Sequence, residues 1–127
     1  MMGYARLCEH RLVRVGFAIA ALFALGACAP TQSTIPFTIQ SDPLGAYVLM
    51  QTQTEDGTPS DWVYLGNTPL TTNRTLITGG SHKSDTVTVR VMREGYFDQS
   101  KAWKAGSMPS EVKESGKLFW NPKLVRQ

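Results

Sequence analysis

Cysteine is almost absent: only Cys8 and Cys28 occur. A cysteine-rich zinc site is therefore excluded. Histidine is as sparse: His82 is the one histidine beyond the first 27 residues, so it has no second histidine for a metal site. Helical periodicity is missing except in the polar segment MPSEVKESG, which reads as a loop or a single turn. Long hydrophobic runs are missing too. The longest apolar stretch, Val15 to Leu25, has eleven residues, short of the roughly 20 that a spanning helix needs. Charge of one sign is scarce once it is located. The formal net charge is +3, but Arg6, Arg11 and Arg14 lie in the first 27 residues. From residue 28 onward ten Lys and Arg face nine Asp and Glu. The clustered positive charge of a nucleic-acid surface is lacking, so no nucleic-acid partner is expected.

What is present at the start is a targeting pattern. Three arginines precede an apolar core of the length typical of a secretory signal. Leu25-Gly26-Ala27-Cys28 resembles the bacterial lipobox, in which the cysteine is acylated and becomes the first residue of the mature chain. The resemblance implies a helical signal peptide over 1–27, a covalent lipid on Cys28 and a membrane anchor through it. Each buried methylene of such an anchor contributes roughly 0.8 kcal/mol, so two or three chains hold a protein durably. Ala29 stands where an inner-membrane lipoprotein of this kind carries aspartate, which implies an outer-membrane lipoprotein facing the periplasm. With Cys8 lost in the signal and Cys28 lipidated, no thiol pair remains for a disulfide, and stability has to come from packing.

Residues 28–36, with proline near each end, read as a lipidated tether. Period-two patterning then begins. Phe37 and Ile39 share one face, and Val87, Val89 and Val91 alternate with Thr88, Arg90 and Met92. Further β-rich runs are AYVLMQT, DWVYLG, TLIT, YFDQSKAW and KLFW. Asp-Pro, Asp-Gly, Gly-Asn and Gly-Gly pairs separate them. The expected fold is all-β: a small antiparallel β-sandwich or open barrel of about five or six short strands. Residues 104–127 read as a C-terminal extension with a short strand at 117–120.

The turn chemistry carries a family resemblance. Pro43, Gly45, Ala46 and Val48, then Gly66, Thr68, Pro69 and Leu70, then Gly80 and the Val87–Val91 strand, then Gly95-Tyr96 together resemble a PEGA domain, a small β module of bacterial and archaeal envelope proteins. The resemblance covers residues 37–103. It implies a non-catalytic module, with Gly45 reversing the chain at positive φ and Leu70 delivered into the core. The chain departs from the pattern at QTQTEDGTPSDW, which replaces a tight turn between the second and third strands.

Few residues suggest chemistry. His82 sits in a glycine-bounded loop and reads as a solvated residue rather than a ligand or base. Ser110 and Lys113 fit Ser-x-x-Lys, but the Ser-Asp-Asn and Lys-Thr-Gly companions of acyl-enzymes do not occur. No catalytic site is expected. Glu55, Asp56 and Asp61 crowd one loop without the spacing of a calcium-binding EF-hand, so no metal and no cofactor beyond the lipid is expected. Aromatic residues are the best candidates for recognition, because they bury large areas and still present polar edges. The expected binding surface is Trp62, Tyr64, Trp103 and Trp120, with Trp103 and Trp120 foremost because they stand near segment ends. The sequence thus predicts a lipid-anchored binding or scaffolding module, with envelope proteins, peptidoglycan or polysaccharide as partners. The alternative is an accessory or pilot lipoprotein that assists a larger outer-membrane assembly.

Overall fold

A computed structural model describes residues 31–127. The leader and Cys28 lie outside the described residues. The strands are β1 (Gln32–Ile39), β2 (Tyr47–Gln53), β3 (Val63–Asn67), β4 (Leu70–Ile77), β5 (Thr86–Met92), β6 (Gln99–Lys104) and β7 (Leu118–Trp120). One helix, α1 (Met108–Ser115), lies before β7. The strands form two open sheets, β4-β1-β7 and β3-β2-β5-β6. All pairings are antiparallel except β1 with β7. The fold is the expected all-β sandwich, with seven strands among the described residues rather than five or six.

Alternation builds the core. Ile35, Phe37 and Ile39 of β1 are buried, as are Val48 and Met50 of β2 and Val87, Val89 and Val91 of β5. A period of two places each set on the inner face of its sheet. The β5–β6 hairpin is the one the valine pattern predicts, with Val87 opposite Trp103. β3 and β4 are separated by only two residues yet belong to different sheets. Thr68 therefore sits at a corner. It is buried, and its Oγ1 accepts the Gly45 and Ala46 N–H groups at 3.1 and 3.0 Å while pairing with the Ser41 hydroxyl. Gly45 has φ +90° there, as the turn into β2 requires. Gly66 is also needed: its φ is +142°, and a Cβ would lie 2.8 Å from Leu70 Cδ1.

Three boundaries differ from expectation. Residues 32–36 are not tether. They continue β1, pairing with β4 from Gln32↔Ile77 onward, because Ile35 extends the buried alternation two residues earlier. Pro36 is tolerated because β7 joins β1 only from Phe37, which leaves one side of the strand open at the proline. MPSEVKESG is neither a loop nor a single turn. Met108–Ser115 is helical, with Met108 buried and Val112 packed on the core one turn later, and the Gly116 N–H closes it on the Val112 carbonyl. The C-terminal extension, 104–127, carries a short strand, β7, and is built into the sandwich. Ala105, Met108, Leu118 and Leu124 belong to the same core, and Leu124 N–H donates to the Asp42 carbonyl at 2.8 Å.

Candidate binding face

The outer face of the four-stranded sheet is covered by no element among the described residues. Its composition follows from the same alternation that fills the core. With Val48 and Met50 inward, Tyr47, Leu49 and Gln51 of β2 face outward. With Val87, Val89 and Val91 inward, Thr88, Arg90 and Met92 do so on β5. Leu49 pairs with Tyr64 across a bulge, which brings Tyr64 to this face.

The rings assemble there. Tyr47 and Tyr64 are 54% and 57% exposed, with centroids 6.2 Å apart and planes tilted by 55°. The Tyr64 hydroxyl donates to Asn67 Oδ1, which fixes the ring. Trp62 precedes β3, and the Arg90 guanidinium lies over it at 4.3 Å from the centroid. An exposed contact of that kind contributes about 0.5–1 kcal/mol. The strands offer no carboxylate on this face; its cations are Arg90 and, at the β6 edge, Lys104. The result is a shallow platform of rings bordered by guanidinium, amide and hydroxyl groups.

The platform includes two of the four expected surface residues, Trp62 and Tyr64. The other two lie elsewhere. Trp103 is buried on the inner face of β6, opposite Val87. Its inward register, not its place near a segment end, decides its environment. Trp120 is half-buried and packs against the core from β7. It shares its face with Ile39, its parallel partner. Sequence reasoning missed Tyr47, although its alternation with Val48 signalled an outward ring. It placed Arg90 on the wet face without pairing it to Trp62.

The other singled-out residues are placed as follows. His82 is not freely solvated: it closes a 3-10 turn (Gly80–His82), and its Nδ1 meets the buried Asp85 carboxylate at 2.8 Å. Asp56 is tied into its own loop, accepting from the Thr54 hydroxyl and, at 3.0 Å, from the Thr58 N–H. These bonds, with the Thr54 hydroxyl first, hold its carboxyl below the usual aspartate range. Among the described residues no three His, Cys, Asp or Glu side chains converge as a metal-binding group. Ser110 and Lys113 are both exposed on α1. Among the described residues no helix is long and apolar enough to cross a membrane.

No family model matches the chain, and no curated protein matches it either.

Proposed function

We propose that the chain is an envelope lipoprotein, anchored by acylated Cys28, whose PEGA-like β-sandwich is a non-catalytic glycan-binding module. The observation that carries the reading is the uncovered platform of Tyr47, Tyr64 and Trp62 with Arg90 over the indole. Ring faces stack on the C–H faces of sugars, and the bordering guanidinium, amide and hydroxyl groups satisfy sugar hydroxyls. A binding platform at a membrane matches the signal-like leader and the lipobox-like Leu25–Cys28. The partner this favours is a neutral polysaccharide or the glycan strands of peptidoglycan.

Two measurements test the two halves. Metabolic palmitate labelling is expected for the wild type and lost in Cys28→Ser; labelling of both forms refutes the anchor. Co-sedimentation of the full chain with isolated peptidoglycan sacculi is expected, and to fall for Trp62→Ala and Tyr64→Ala. Unchanged retention of both variants refutes the platform.

A further inference from the structure

The long connection between β2 and β3 does more than join strands. Thr54 N–H donates to the Thr58 carbonyl at 3.0 Å and Ser60 N–H to the Thr52 carbonyl at 2.7 Å. Gln51 Nε2 reaches the Ser60 carbonyl at 3.0 Å, and Thr52 N–H donates to Ser60 Oγ at 3.0 Å. The loop is thus folded back along β2 and stands as a wall. Between that wall, the end of β4 and the turn at His82 lies a cavity of about 490 Å³. This is inside the range of ligand sites, about 300–1,000 Å³. It opens at the opposite end of β2 from Tyr47.

Its chemistry is divided. Leu76, Ile77, Pro59 and Val87 supply an aliphatic surface, which leaves water poorly bonded. His82 and Asp85 form the polar wall. Asp85 is only 5% exposed, and burying a carboxylate is costly unless it is paired. Its side-chain partner is the half-exposed His82. Where Asp85 accepts, Nδ1 carries the proton, and in that tautomer Nε2 is left as an acceptor. Ser60, the serine in the lining, is engaged elsewhere: its Oγ accepts from Thr52 and donates to the Asp61 carbonyl at 3.1 Å. The Ser60 hydroxyl is thus spent within the loop, and the imidazole is the group we read as serving recognition.

We infer that this cavity is a second binding site, for an uncharged small molecule with an aliphatic body and one O–H or N–H donor directed at His82 Nε2. Medium-chain alcohols and primary amides have that chemistry. The site does not depend on the glycan platform or on the anchor.

The test is an NMR titration of the full chain with 1-hexanol and with hexanamide. Saturable shifts are expected at the Leu76, Ile77 and Val87 methyls and at the His82 ring. His82→Phe keeps a ring and removes the acceptor, so it should weaken binding roughly three- to tenfold. Ile77→Arg, at the exposed mouth, should abolish it, and covers the case in which His82→Phe does not fold. Linear, non-saturating shifts overturn the inference. So does undiminished binding by either folded variant.

Discussion

Leu118→Ala tests whether the C-terminal segment is part of one core with β1. Leu118 is fully buried and pairs in parallel with Phe37, the largest buried side chain of β1. The substitution removes three carbon groups, at about 0.8 kcal/mol each, and so about 2.4 kcal/mol of transfer free energy. A cavity term adds to this, and buried Leu→Ala changes cost about 2–5 kcal/mol in all. Met108 is also fully buried, and α1 contacts both β1 and β7. A flexible thioether fills part of such a gap, so we expect about 3 kcal/mol. Urea unfolding followed by tryptophan fluorescence measures it, with Trp103 and Trp120 both against the core. Phe119→Ala is the control: the ring is 47% exposed on the opposite face of the same strand, and the expected change is within about 0.5 kcal/mol. A Leu118→Ala loss below about 1 kcal/mol, less than the transfer value alone, refutes a shared core.

Thr68→Val removes the Ala46 N–H's partner among the described residues while preserving shape. It should cost about 1–3 kcal/mol in the same unfolding assay, and Thr68→Ser, which keeps the hydroxyl, should cost less. Asp56 should titrate below the usual aspartate range in a carboxyl-carbon NMR experiment, and Thr54→Val should move it back up. Because its folded value is depressed, the order it lends the loop is fully present above the unfolded value and is lost as pH falls through the folded one; loop amide shifts that ignore that fall contradict the assignment.

Much of the fold was legible because one rule, period two, governs most of it. The valines of β5 announced both a strand and its buried face, and Gly45, Gly66 and Thr68 marked real corners. What the sequence hid was non-local. Whether a tryptophan is core or surface depends on strand register, so Trp103, expected on the surface, lies in the core, while Trp62 lies where it was expected. The first part of β1, Gln32–Pro36, was masked by Pro36, because a missing N–H matters only where a neighbour would have used it. The helix Met108–Ser115 has only Met108 and Val112 to show its buried side, too few for a periodicity to register. The cavity beside His82 needed a loop, a strand end and a turn that are far apart in the chain and joined only by folding.

We propose that the outer face of the four-stranded sheet is where this protein meets its partner. Amide and side-chain NMR shifts of the full chain on adding soluble peptidoglycan glycan strands test it most directly. Saturable shifts clustered on Tyr47, Leu49, Trp62, Tyr64 and Arg90 are expected. Shifts confined instead to Thr34, Thr38 and Phe119, on the outer face of the other sheet, or no saturable shifts at all, would contradict it.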